Sequence, residues 1–491
     1  MATSQTFSFP ASLPALPEVV VADGRTFRIL INCRQLCLQH FTTLTGARLS
    51  QTRFAQMYAS LRADFYRIVR GNVSSARPFG QADDTVLRRM LESSSADEAL
   101  VRCAALLRPL STLVEEEMGG LGRFAHPTVR TSPALGEEEF LVTARQPSVI
   151  VERLRLARLP RLVEEESETI ASYHPGLRIT PLRIGDRQLE RHELPRRTAE
   201  LLQQRARRGA VKLAMTPLTL DADLRGSALP GFPPSEPPRF VLHAVGDEAP
   251  QIELLNRVLQ RCYDEAVSIL VLPELRVPPT LLSVIVDFLT RQPPEGLENG
   301  QGLLLVAAGS WHVLDAGSWV NRCEVLDHRG DRIWAHEKLA EYHITPENVQ
   351  EAPGLKERLG ITDQGGVEGI RRGTRLEFCD SPLGRIAVAI CVGFFHQPLE
   401  QLLIDSGADL LLVPAMTSDV RPIQDRARAL VRSQRASTFV ANCGTTACSR
   451  KPGHDAKGCC FYQIPRGRET NRMPCPCATG DYLYVFRLTD I

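Results

Sequence analysis

Two textures of apolar and polar positions divide this chain. In the first, the apolar residues recur at helical spacing. Gln51 to Arg70 sets Phe54, Met57, Tyr58, Leu61, Phe65, Ile68 and Val69 on one face, and Asp83 to Arg108 does the same with Val86, Leu87, Met90, Leu91, Leu100, Val101, Ala104 and Leu107. Asp97 suits the cap of the second piece, after the serine-rich break at Ser93 to Ser95. Ser148 to Glu166 mixes Val, Ile, Leu and Arg and ends in an acidic run. A last helix from Pro195 carries a basic end, Arg205, Arg207 and Arg208, within a group of seven arginines between Arg187 and Arg208. Such a cluster suits phosphate or an acidic partner, but cations also suit a helix C-terminus, and the group reads first as a solvated helix end. Residues 1–225 are thus expected to be a mainly helical region.

Gly226 to Pro238 is rich in proline and is expected to be a linker, since neither a helix nor a central strand absorbs it. Beyond it the second texture begins. Short buried runs alternate with amphipathic stretches: strands at Arg239 to Val245, Val267 to Leu272, Gly302 to Ala308, Asn321 to Leu326, Arg332 to His336, Arg375 to Phe378, Arg385 to Ile390, Asp409 to Pro414 and Thr438 to Asn442. Helices fit Ile252 to Glu265, Leu281 to Arg291, Pro398 to Ser406 and Pro422 to Ala436. That alternation predicts an α/β domain over 239–491 with some neighbouring strands antiparallel.

Composition changes this picture little. With 491 residues there is room for two or three domains, and a net charge of +1 gives no global field to favour nucleic acid or an anionic membrane. No apolar run approaches the length of a membrane span. Met1 to Gly24 lacks the pattern of a secretory signal, so a cytoplasmic protein is expected. The 13 cysteines should then be free thiols or metal ligands. Six of them fall after Asn442, at Cys443, Cys448, Cys459, Cys460, Cys475 and Cys477. No pair there has the two-residue gap of a zinc knuckle, so no metal and no cofactor is expected.

Chemistry gathers at three strand ends. Glu274 follows Ile269-Leu270-Val271-Leu272-Pro273, Lys338 follows Ile333-Trp334-Ala335-His336-Glu337, and Cys391 follows Arg385-Ile386-Ala387-Val388-Ala389-Ile390. Gly393 breaks the last run at a strand-to-helix turn, where backbone N–H groups should favour the thiolate.

In the order Glu, Lys, Cys, these residues and their surroundings resemble the nitrilase superfamily of carbon–nitrogen hydrolases. Leu270 to Glu274 is similar to its first motif. Asn321, Gly330 and His336-Glu337-Lys338 are similar to its second, and Gly384 to Cys391 to its third. Gly407 to Ala415 and Arg435 to Asn442 are similar to the elements that follow. The resemblance covers about Arg239 to Asn442. It implies an α-β-β-α sandwich and hydrolysis of a non-peptide C–N bond, an amide before a nitrile, through a thioester on Cys391. Glu274 would be the base. Lys338, with the backbone N–H of Val392, would meet the developing oxyanion.

A second, supporting glutamate is implied after the lysine; Glu347 is the choice and Glu341 the competitor. The turn Val392-Gly393-Phe394-Phe395-His396-Gln397-Pro398 departs from the family pattern, and Pro353 to Gly373 reads as an insertion. The resemblance also implies a small-molecule substrate and a homo-oligomer, a dimer or a filament. The altered turn leaves an alternative open, an assembly or effector module of the kind found in bacterial anti-phage defence.

Overall fold

The computed structural model divides the chain into two compact units, Met1–Pro181 and Leu182–Ile491. Of the first it describes helical positions at Ser60, Ala63, Arg102, Ala105 and Leu106, and four strands. Of the second it describes 183–488 apart from 185–186, 219–223, 234–235, 352–353, 396–402, 404–405, 418–419, 435, 444–456, 465–470 and 475–482. Most of the expected helices at 51–70 and 83–108, the helix at 398–406 and most of the cysteine-rich tail therefore lie outside the described residues.

The first unit is not only helical. Val129–Arg130, Glu139–Val142, Val149–Arg153 and Leu177–Pro181 pair in succession as a four-stranded antiparallel sheet. The run Val149-Ile150-Val151 explains one of them, because β-branched side chains favour the pleated surface over a helix.

In the second unit two sheets lie against each other. The first has the strand order Trp311–Asp315, Ser318–Asp327, Leu305–Ala307, Ile269–Val271, Lys212–Met215, Tyr484–Arg487, with Arg332–Glu337 also paired to Ser318–Asp327. Ile269–Val271 sits at its centre, parallel to both neighbours. The second sheet runs Asn471–Pro474, Lys457–Gln463, Ser437–Asn442, Leu410–Ala415, Gly384–Val388, Arg375–Ser381, Arg187–Glu193, Arg183–Ile184. Its three middle strands, from Ser437 to Val388, are parallel, and Arg375–Ser381 returns antiparallel.

Side-chain alternation sets the layers. On the central strands of the first sheet Ile269, Val271, Leu305 and Ala307 join a core shared with the second sheet. Their neighbours Leu270, Leu272 and Val306 turn the other way, onto Leu254, Leu255, Val258, Leu281, Ile285 and Leu289 of the helices Ala249–Asp264 and Pro279–Thr290. Ile423, Ala427 and Leu430 of the helix Arg421–Gln434 join the core of the second sheet. A strand buried on both faces reads as a continuous apolar run, which is why these strands were legible. The expected sandwich of helix, sheet, sheet and helix is the arrangement these contacts make.

Its expected start at 239 is not. Arg187–Glu193 pairs in parallel with Arg375–Ser381, and Lys212–Met215 lies beside Ile269–Val271 inside the first sheet. Nor does the proline-rich stretch separate domains. It joins Leu224–Ala228 to Arg239–Val245, which pair antiparallel in a third, small sheet ordered His343–Ile344, Gly366–Glu368, Arg239–Val245, Leu224–Ala228. Prolines are tolerated there because a hairpin connection needs few ladder donors.

The basic helix Arg196–Arg207 also differs from expectation. Arg205 is buried and donates to the carbonyls of Gln301 and Gly302 and to Ser268 Oγ. Burial lowers its pKa to about 10. Arg191 pairs with Asp380, Arg196 with Glu200 and Arg197 with Glu298. The arginines are spread over separate partners and do not converge on one anion.

Candidate active site

Glu274, Lys338 and Cys391 come together at one end of the sandwich, each at the end of a strand and each at most 2% exposed. Beyond Ile269–Val271 the chain turns sharply. Leu275 takes a left-handed φ of 53°, and its N–H bonds Ser310 Oγ at 3.4 Å. Gly309 lies against this turn: a Cβ there would stand 2.4 Å from the Pro273 carbonyl oxygen, so only glycine permits the approach. Lys338 is fixed from both sides, donating its N–H to Asn321 O at 2.8 Å and accepting from Gly373 N at 2.9 Å.

Cys391 has φ +44°, strained for a residue with a Cβ. Its N–H reaches Pro414 O at 2.9 Å, and its carbonyl accepts from Phe394 N at 2.9 Å. The sulfur is thereby set on a sharp bend between the strand Gly384–Val388 and the short turn of helix Val392–Phe395. Val392 opens that turn, so its N–H is among those a helix start leaves without an intrahelical partner.

Lys338 Nζ lies 2.7 Å from Glu274 Oε1 and 2.6 Å from Glu368 Oε2. The second carboxylate beside the lysine is therefore Glu368. Glu347, the expected one, is exposed on the helix Pro346–Glu351 and engages Thr345. Glu341 pairs instead with Arg239 and Arg372. Sequence reasoning passed over Glu368 because it lies 30 positions after the lysine, in a stretch that reads as an insertion. The missed signal was a carboxylate closing a short strand, Gly366–Glu368, as Glu274 closes its own.

The two carboxylates differ in their partners. Glu368 accepts four bonds: Oε2 from Lys338 Nζ and from Tyr342 N at 3.0 Å, Oε1 from Asn321 Nδ2 at 2.9 Å and from His312 Nε2 at 2.8 Å. Burial alone would raise its pKa, but Lys338 and His312 reverse that and hold it well below the usual carboxylate range. Glu274 accepts from Lys338 and, at 3.1 Å, from Asn321 Nδ2, and it also bonds the Cys391 thiol. Burial likewise would lower Lys338; Glu274 and then Glu368 overcome it, so the ammonium is held more firmly than in water.

Cys391 goes against expectation. Burial first, then the charge of Glu274 and the bond to it, push the thiol well above its ordinary value, while Lys338 and the backbone N–H of Met416 oppose them. Burial and the neighbouring carboxylate thus favour the protonated thiol. Val392–Phe395 is four residues long, too short to supply the field of a full helix. Tyr342 borders the group, its ring centroid 5.9 Å from Lys338 Nζ and its phenol pushed up to about 12, chiefly by burial.

Such a site is costly. Each buried ion loses several kcal/mol of solvation, where an apolar side chain would have contributed about 1.5–3 kcal/mol. Among the described residues no group of side chains is arranged to hold a metal ion, and no helix is long and apolar enough to cross a membrane. Six described cysteines are buried: Cys262, Cys323, Cys379, Cys391, Cys443 and Cys460.

No family model and no curated protein matches the chain. Among solved structures it is similar to Nit3 of Saccharomyces cerevisiae, a member of branch 10 of the nitrilase superfamily, at 16% identity and TM-score 0.31, over 52% of this chain and 83% of that one. It is also similar to an amidase of the nitrilase superfamily from Nesterenkonia AN1, at 13% identity and TM-score 0.34, over 57% and 91%. Another form of that amidase, carrying the product of Michael addition of acrylamide at its active-site cysteine, matches at 14% identity and TM-score 0.35, over 57% and 93%.

Proposed function

We propose that this protein is a nitrilase-type carbon–nitrogen hydrolase that cleaves a small amide through a thioester on Cys391. One observation carries the reading. A buried ammonium, Lys338, stands 2.7 Å from Glu274 and 2.6 Å from Glu368, and the buried thiol of Cys391 lies within the reach of both charges of the Glu274–Lys338 pair.

The proton inventory follows from these contacts. Glu274 takes the thiol proton as Cys391 Sγ attacks the amide carbon, so the thiolate need exist only in the transition state. The carbonyl π electrons move onto oxygen, where Lys338 and the N–H of Val392 stabilise the charge. Collapse breaks the C–N bond; Glu274 passes its proton to the nitrogen, and ammonia or an amine leaves a thioester. Glu274 then deprotonates water, whose oxygen attacks the same carbon. Breaking the C–S bond releases the acid and returns the proton to sulfur. Glu368, with four donors already bound, has no role as a base and serves to aim Lys338.

The test is ammonia release from a panel of small amides and nitriles by wild type, Cys391→Ala and Glu274→Gln. The reading predicts turnover of at least one amide by wild type and loss of about 10³-fold or more in both variants. Absence of turnover over a broad panel, with biological activity intact in Cys391→Ala, would instead support an assembly or effector role. The energetic cost of burying Lys338 between two carboxylates beside a thiol favours catalysis over a scaffold role.

A further inference from the structure

We infer that His312 is a positioning residue of this site, which holds Glu368, and through it Lys338, against the small third sheet. The inference rests on the hydrolase reading above for its meaning, but not for its test.

Geometry fixes the state of His312. The side chain is buried, on the strand Trp311–Asp315, and its Nδ1 accepts the backbone N–H of Leu242 at 2.7 Å. An imidazole nitrogen that accepts carries no proton. The ring is therefore neutral with its hydrogen on Nε2, and that hydrogen is donated to Glu368 Oε1 at 2.8 Å. A chain of bonds thus runs from Leu242, on the central strand Arg239–Val245 of the third sheet, through His312 and Glu368 to Lys338 Nζ.

Glu368 belongs to that same sheet. Gly366–Glu368 pairs in parallel with Arg239–Val245, setting Glu368 opposite Phe240. Both ends of the link are therefore carried by one sheet, and the ring on the neighbouring strand locks the carboxylate between them. The groups facing Glu368 are Lys338, His312, Asn321 and the N–H of Tyr342, with Glu274 and Cys391 beyond the lysine. Of these donors His312 is the one whose second nitrogen is anchored to the third sheet. Without it Glu368 would keep its charge and its bonds to Lys338, Tyr342 N and Asn321, but Oε1 would lose one of its two donors, and the carboxylate's field would fall more heavily on Lys338, leaving less of the ammonium for the thiolate and the oxyanion.

Two substitutions separate positioning from simple bracing. An Asn side chain ends near the place of ring Nδ1, so His312→Asn keeps an acceptor for Leu242 and loses the donor to Glu368. Gln reaches the place of Nε2, so His312→Gln keeps the donor and loses the acceptor. In the full-length protein, positioning predicts a fall in kcat of about 10- to 100-fold for His312→Asn, with KM little changed and a melting temperature near wild type, and substantial rescue in His312→Gln. Equal losses in the two variants, or a melting temperature that falls together with activity in the Asn variant, would overturn it.

A second readout needs no turnover: alkylation of Cys391 by iodoacetamide as a function of pH, followed by intact mass. The midpoint should move to higher pH in His312→Asn and stay near wild type in His312→Gln. An unmoved midpoint in the Asn variant overturns the positioning role. A moved midpoint in a protein that hydrolyses no amide upholds it and counts only against the hydrolase reading.

Discussion

A lysine 1% exposed between two carboxylates is stable only as a set. Removing one member leaves uncompensated buried charge, at a cost of about 3–5 kcal/mol. Lys338→Met is therefore predicted to lower unfolding free energy by that amount, measured by urea denaturation, besides abolishing turnover. The same contacts give the site a pH window. The pKa of Glu368 is depressed on folding, so its contribution is present above the ordinary glutamate value of about 4.3 and is lost as pH falls below it. That of Lys338 is raised, so its contribution is complete below about 10.4 and fades as pH rises past it. The acid slope of melting temperature should be shallower in Glu368→Gln than in wild type; an unchanged acid slope would contradict the assignment. At this scale the sequence was informative in proportion to context. Glu274, Lys338 and Cys391 stood out because each ends an apolar strand run. His312 did not, since one histidine among Trp311, Val313 and Leu314 reads as core, and Glu368 was hidden by its distance along the chain.

Among the elements, the arginine-rich helix Arg196–Arg207 shows how a charge pattern can mislead. Spacing alone makes Arg205, Arg207 and Arg208 alike, yet Arg205 is enclosed while the other two are exposed. Its bonds to Gln301 and Gly302 pin the helix to the loop that precedes the strand Leu305–Ala307, and its bond to Ser268 to the start of Ile269–Val271. Arg205→Ala is expected to destabilise by about 2–3 kcal/mol, because it leaves carbonyls without donors. Arg207→Ala and Arg208→Ala should stay within about 0.5 kcal/mol. Thermal melts of the three variants check this, and equal effects would return the group to a solvated helix end. The strands were read well where both faces are buried and poorly where they are short and part polar, as at Arg187–Glu193, whose partner Arg375–Ser381 lies far along the chain, and at Leu224–Ala228, whose partner lies across the proline-rich connection.

Across the whole molecule, the proline-rich segment marked a false boundary. Composition could identify it as a turn but not show that the strands on its N-terminal side belong to the sandwich. Lys212–Met215 fills the slot between Ile269–Val271 and Tyr484–Arg487, so a fragment 239–491 would leave one side of the central strand Ile269–Val271 uncovered and Tyr484–Arg487 without its partner. A fragment 182–491 keeps every described strand of all three sheets. The second should be soluble with a cooperative melt and the first should not; a well-folded 239–491 would refute this division. The claim that joins the scales is that the sandwich exists to set a thiol, a base and an ammonium around one carbon atom. Its most direct test is intact-mass analysis of acid-quenched reactions of the full-length protein with the amides it turns over. The expected result is a transient adduct of acyl mass on Cys391 that is missing from Cys391→Ala. Ammonia release that persists undiminished in Cys391→Ala, or an adduct mapped to another residue, would contradict it.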